Sequence, residues 1–180
     1  MLVENLIKFI KRANSDSFTN ADIRNDFRDL DFFDEYKYKI DISFGQFNNR
    51  SEVPWISILD KSNEQKTANG IYPVYLYYKA INKLIFAYGI SSETHPNLNW
   101  NKDILINTQQ IRDYFSNNSA YHNIYNYERR TYKDSYVYQI YDIVIKSDNV
   151  LIGQCNNVVS NSKLEDDLIQ MLDIYDTNLE

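Results

Sequence analysis

Between residues 36 and 89 four strand-length segments follow one another, and their connections are too short for a crossover, so the strands can only pair antiparallel. Tyr36, Tyr38, Ile40, Ile42 and Phe44 alternate with Lys37, Lys39, Asp41 and Ser43, the period of two expected of a half-buried strand ending at Gly45. Residues 53–59 (VPWISIL) give a second strand with Pro54 at its start, where a missing donor is tolerated. After the Asn69-Gly70 turn signal, residues 71–78 (IYPVYLYY) and 83–89 (KLIFAYG) form a hairpin turning at Ala80–Asn82. Residues 135–145 and 150–155 supply two further strands. Helices flank them. Leu2, Leu6, Phe9, Ile10 and Ala13 recur at helical spacing. Thr19 with Asp22 opens a second helix whose Ile23, Phe27 and Leu30 face inward. Asp103 caps a helix over 104–115 with Ile104, Ile111 and Phe115 inside, and residues 117–130 read as loop. Ser162 and Glu165 form a capping box for a last helix with Leu164, Leu168, Met171, Leu172 and Tyr175 as its inner stripe. The expected fold is α+β: a mixed, mainly antiparallel sheet flanked by N-terminal, central and C-terminal helices.

At 180 residues the chain has the length of one domain, with helices in 1–35, a sheet core carrying a pocket in 36–155 and a closing helix in 162–176. With 43% hydrophobic and 24% charged residues it is neither disordered nor membrane-spanning, since no apolar run approaches the roughly 20 residues a span needs. Glu4, Lys8 and Lys11 interrupt the N-terminal apolar pattern and exclude a signal peptide. A single cysteine, Cys155, excludes an internal disulfide, points to a cytoplasmic protein and reads as a small buried hydrophobe in its strand. The net charge of −6 argues against nucleic acid, but its distribution weakens that argument. Residues 164–180 alone carry −6 and residues 22–35 carry −4, whereas residues 36–163 carry +3. The middle of the chain is mildly basic between acidic flanks.

Most catalytic chemistry is missing from the sequence. Neither a GxxxxGK[ST] nor a GxGxxG pattern occurs, and no serine stands in GxSxG. His95 and His122 are far apart and share no ligand spacing with Cys155, so no metal and no cofactor is expected. Glu35-Tyr36-Lys37 and Glu64-Gln65-Lys66 match the Glu-x-Lys tripeptide of metal-dependent nucleases, but a chain with 25 acids and 19 bases supplies two such matches by chance. No catalytic residue is assigned and the chain reads as a binding domain.

Four blocks from Ile42 to Trp100 carry a resemblance: ISFGQFN, VPWISIL, NGIYPVYLYYKAINKLIFAYGIS and HPNLNW. In this order and spacing they resemble the N-terminal DNA-binding domain of McrB-type proteins, which belong to restriction systems dependent on modified cytosine. Weaker similarity continues through Ile111–Ser116 and Thr131–Tyr136. The resemblance implies recognition of a methylated or hydroxymethylated cytosine after a purine, by flipping the base out of the duplex into an aromatic pocket. In that family an AAA+ GTPase region follows the domain and a separate McrC nuclease subunit cuts, so this chain is expected to bind modified double-stranded DNA without cutting it.

The implied pocket residues fit the chemistry. Flipping costs a few kcal/mol, and stacking on an aromatic ring returns about 1–3 kcal/mol per base. By the resemblance Trp55 forms one wall and Tyr132 the opposite wall, with Tyr127 and Tyr136 as rivals for the second role. Leu76 matches the residue near the cytosine C5 substituent, and Tyr72 lines the floor. One buried methyl is worth about 0.8 kcal/mol, or about fourfold in affinity, so strong discrimination needs a further source. At Gln46, after Ser43-Phe44-Gly45, the pattern departs from a well-known member that carries a tyrosine entering the helix. Glutamine can bond to the orphaned guanine but cannot stack, and Phe47 is the alternative wedge; Gly45 allows a close turn toward DNA. Arg50, Lys61, Lys66, Arg129, Arg130 and Lys133 flank these segments as candidate phosphate contacts.

Two other functions compete with this reading. The divergence at Gln46 is compatible with a reader of unmodified DNA or of another base modification in a restriction system. The net charge of −6 is compatible with a protein-interaction module that has no nucleic-acid activity.

Overall fold

The computed structural model describes residues 1–15, 21–46, 49–63, 65–91, 98–121 and 132–180; for residues 21–23 and Gln46 it describes the backbone alone. Helices α1 (Leu2–Ala13) and α2 (Ala21–Arg28) precede strands β1 (Tyr38–Gln46), β2 (Asn49–Asp60), β3 (Ile71–Tyr78) and β4 (Lys83–Ile90). Two short helices, α3 (Lys102–Asn107) and α4 (Ile111–Ser116), lead to β5 (Tyr136–Lys146), β6 (Asn149–Gln154) and β7 (Asn157–Val158). Helix α5 (Asn161–Leu179) follows. The seven strands form one sheet in sequence order and every neighbouring pair is antiparallel.

Register divides the side chains into two faces. Ile42, Ile56 and Tyr75 are cross-strand partners, and so are Tyr75 and Phe86, so these point to one side. Helices α1 and α5 cover that side. Phe9 of α1 packs on Phe44 of β1, the Asn14 side chain beyond α1 donates to the Tyr77 hydroxyl on β3 at 3.1 Å, and α1 also contacts β6. In a flat sheet β1 and β6 would stand about 24 Å apart. The twist expected of such a sheet, with the length of α1 of about 18 Å, brings both strands within its reach. The Asp60 N–H donates to the Tyr175 hydroxyl of α5, and the Tyr38 and Tyr141 hydroxyls donate to Asp176 and Asp167 of the same helix. The rings of Phe33, Tyr38, Tyr175, Trp100, Tyr88, Tyr138, Phe86 and Tyr75 form an unbroken chain of contacts through this layer. Each such pair contributes about 0.5–1.5 kcal/mol beyond its buried area. Burial raises the phenol pKa of Tyr75, Tyr88 and Tyr175, and that of Tyr138 is pushed up to about 12, so these groups stay neutral well above physiological pH.

The helix ends show where local signals gave way to tertiary ones. Met1 offers α1 no side-chain cap; the Leu2 and Val3 N–H groups instead donate to Glu165 (3.4 Å) and Asn161 (3.0 Å) of α5. Glu165 is thereby diverted from the expected capping box, and α5 is capped by Ser160, whose hydroxyl accepts from the Lys163 N–H at 3.2 Å. The expected helix over 104–115 is two helices. Asn101, not Asp103, is the first N-cap, and Thr108 is extended because Gln109 and Gln110 pair with β5: the Val137 N–H donates to the Gln109 carbonyl at 2.8 Å. Tyr36, expected in the first strand, sits 87% exposed in the preceding turn. Cys155 is not a buried strand residue; it is exposed in the β6–β7 turn, where it and Asn156 adopt φ of 51° and 66°, the positive pair that a two-residue hairpin turn demands. Among the described residues no helix is long and apolar enough to cross a membrane. The caps expected from Thr19 and Asp22, and the side chain of Ile23, lie outside the described residues; Phe27 and Leu30 are buried as expected.

Candidate nucleic-acid interface

Two prolines delimit the ladder that organises the face opposite α1 and α5. Strands β2 and β3 pair only through Trp55–Leu76, Ile56–Tyr75 and Ser57–Val74. Pro54 lies one residue before the ladder and Pro73 one residue before its other end, so neither missing N–H is demanded by a partner. Trp55 and Leu76 face away from α1 and α5, in a row that runs Ser43, Trp55, Leu76, Ile85, Ile140 across five strands. Leu76 is fully buried at the centre of that row, whereas Trp55 is only partly buried. Trp100, the other tryptophan, is 2% exposed, meets Tyr88 edge-on and Tyr175 at a tilt, and donates its indole N–H to the Gly89 carbonyl at 2.9 Å. Trp55 contacts no aromatic ring among the described residues.

Tyr72 shares the face with Leu76, four residues along β3, and donates its hydroxyl to the Thr67 carbonyl at 3.2 Å. Its ring lies over Gly89, its cross-strand partner: a Cβ there would stand 2.7 Å from the ring and 2.6 Å from the Tyr72 carbonyl. Gly89 was not singled out from the sequence, although a glycine inside an apolar strand signals such a close approach. Tyr132 lies beside Tyr72; burial first, and the Tyr72 phenol second, raise its pKa well above the ordinary tyrosine value. Its φ of 59° is left-handed, a conformation costly for a residue with a side chain. The turn is held from outside: the Ser135 N–H donates to the Tyr132 carbonyl at 3.0 Å, and Ile111 and Arg112 N–H groups donate to the Ser135 and Lys133 carbonyls at 2.9 and 3.3 Å. Of the rival tyrosines, Tyr136 is bonded through its hydroxyl to Gln110 at 2.8 Å, and Tyr127 lies outside the described residues.

Beyond Trp55 the β1–β2 hairpin continues without β3; Val53 and Pro54 are still buried, and Asn49–Glu52 form a short two-stranded arm, about 13 Å long. Gly45 makes the arm's bulge. Its φ is +115°, and a Cβ would lie 2.2 Å from the Asn49 carbonyl oxygen and 2.5 Å from the Ser51 nitrogen. Gln46 pairs with Asn49 at the tip; Phe47 and the Gln46 side chain are outside the described residues.

The candidate phosphate contacts are not gathered into one patch. Arg50 is on the arm, opposite Gly45, while Lys61 and Lys66 sit past the other end of β2, and Lys61 donates to the Glu35 carbonyl at 2.5 Å. Lys133 is next to Tyr132, and Arg129, Arg130, His95, His122 and Glu64 are outside the described residues. The acidic helix α5 packs on the opposite face from Trp55. A cavity of about 640 Å³ opens elsewhere on the sheet, lined by Lys83, Asp142, Tyr121, Leu151 and Val158 among others, and none of the expected site residues that are described lines it. Among the described residues no group of three or more His, Cys, Asp or Glu side chains is arranged to hold a metal.

These features define an α+β domain in which α1 and α5 pack on one face of an antiparallel meander, and the other face, covered in part by α4 through Phe115 on Tyr78, carries a partly buried tryptophan with no ring partner among the described residues, beside the β1–β2 arm. The chain belongs to the MrcB-like, N-terminal domain family, whose pattern it matches over residues 4–180. It is also 35% identical over 116 residues to a protein of Escherichia coli (strain K12) named as the type IV methyl-directed restriction enzyme EcoKMcrB subunit. That similarity covers 63% of this chain and 22% of the relative, so the chain spans about a fifth of that protein's length.

Proposed function

We propose that this chain is the DNA-reading domain of a modification-dependent restriction system, and that it binds duplex DNA by receiving a flipped modified cytosine on its Trp55 face. The observation that carries the reading is Trp55 itself: partly buried, without a ring partner among the described residues, and paired across strands with Leu76. A flat apolar ring beside an aliphatic side chain suits a pyrimidine bearing a C5 methyl group. Tyr132 and Tyr72 stand as the opposite wall and floor, and the arm through Gly45 to Arg50 as the element that meets the helix at the site of extrusion. Leu76 is covered as the protein stands, so the entering base displaces what lies above it. The domain binds and does not cut; in the complete system the GTPase region and a McrC-like nuclease subunit act on the DNA it marks.

The test is fluorescence anisotropy on two matched duplexes at low salt, one with a single purine–methylcytosine step and one plain. The reading requires tighter binding of the modified duplex and a loss of affinity for both as salt rises. Equal affinities leave a reader of another feature of DNA. No salt-sensitive binding to either duplex leaves a protein-interaction module.

A further inference from the structure

Ser57 is the one polar side chain in the VPWISIL strand, and it is fully buried with no hydrogen-bond partner for its hydroxyl among the described residues. Register fixes where it points. Ser57 pairs with Asp41 on β1 and Val74 on β3, so its side chain is on the Trp55 face, one row from the Trp55–Leu76 pair. The Asp41 carboxylate does not satisfy it; that group is engaged by Arg24 and Lys39, each at 3.5 Å. A buried hydroxyl without a partner destabilises a fold in a way that alanine at the same position does not. Its presence is therefore not explained by packing. The Tyr75 hydroxyl is also unpartnered, but it belongs to the ring chain under α5 and not to this face.

We infer that the Ser57 hydroxyl is a specificity contact: it hydrogen-bonds the polar edge of the base that stacks on Trp55. The inference rests on the base-receiving reading above. Residues two apart on a strand are separated by about 6.6 Å, comparable to the span of a pyrimidine base with its exocyclic groups, so a base lying on Trp55 brings its edge to the neighbouring row. A hydroxyl donates and accepts, so it can meet a ring nitrogen, a carbonyl or an exocyclic amino group. Ser57 supplies what Leu76 cannot, because a polar contact rejects a base whose edge does not match, whereas one aliphatic contact reads little more than a methyl group.

The experiment compares the protein with Ser57→Ala on three duplexes: methylcytosine, plain cytosine and an abasic site at the same position. The expected result is a melting temperature no lower than that of the unmutated protein, and a loss of about fivefold on the methylcytosine duplex, the worth of one neutral hydrogen bond. Binding to the abasic duplex, which offers no base edge, stays equal. Three results overturn the inference: unchanged affinity for methylcytosine while the unmutated protein still discriminates, an equal loss on the abasic duplex, or a large drop in melting temperature. The first of these leaves the base-receiving reading standing. If the unmutated protein does not tell methylcytosine from cytosine, that reading fails and the Ser57 inference falls with it.

Discussion

Trp55→Ala is expected to weaken binding to a methylcytosine duplex by roughly 5- to 150-fold, the equivalent of the 1–3 kcal/mol that one base gains on an aromatic ring. Affinity for the plain duplex should fall much less, because phosphate contacts supply most of it. The fold should survive: Trp55 is partly exposed and outside the ring chain that runs from Phe33 to Tyr75. Trp100→Ala is the contrasting variant. Trp100 is 2% exposed and joins that chain, so its removal should cost about 3–5 kcal/mol of stability. Anisotropy and thermal melting on the two variants separate the roles; a Trp55→Ala protein that still prefers the modified duplex by the original ratio contradicts the assignment.

Gly45→Ala should have the second large effect, on the arm and not on the core. A Cβ at this position meets backbone, not a flexible side chain: the Asn49 oxygen at 2.2 Å and the Ser51 nitrogen at 2.5 Å. The φ of +115° is also strained for any residue with a side chain. The bulge must then be abandoned, and with it the Gly45–Arg50 and Gln46–Asn49 pairs that shape the tip. The arm extends past the β2–β3 ladder, so melting should change little while duplex affinity falls at least tenfold in anisotropy. Unchanged affinity would show that the arm does not touch DNA.

The sequence carried the strands well because their signals are local. Alternation from Tyr38 to Phe44 and the apolar runs on either side of Lys79–Ile81 survive into β1, β3 and β4 with small shifts of boundary. Pro54 and Pro73 proved more informative than a strand start alone, since together they bound the ladder that carries Trp55. Signals that depend on a distant partner were not legible. Glu165 looks like half of a capping box until Leu2 takes it, and the periodicity of 104–115 is overridden where Gln109 and Gln110 are drawn to β5. Cys155 reads as a strand residue because nothing local announces the turn with two positive φ angles. The site was legible only in part. Composition does not distinguish Trp55 from Trp100, and only cross-strand register and ring contacts assign one to the face opposite α1 and α5 and the other to the ring chain. The resemblance named Leu76 and Tyr72, and register puts both on that face; Gly89 beneath Tyr72 and the unpartnered Ser57 emerged from packing alone.

The central claim is that a base leaves the duplex and enters the Trp55 face, and the most direct measurement reports unstacking itself. A duplex carrying 2-aminopurine next to a single methylcytosine fluoresces weakly while its bases are stacked. Binding of this protein should raise that fluorescence severalfold, the plain-cytosine duplex should show a smaller rise, and Trp55→Ala should abolish the difference. A methylcytosine duplex that binds by anisotropy while its 2-aminopurine signal stays unchanged would contradict base flipping and require the modification to be read within an intact helix.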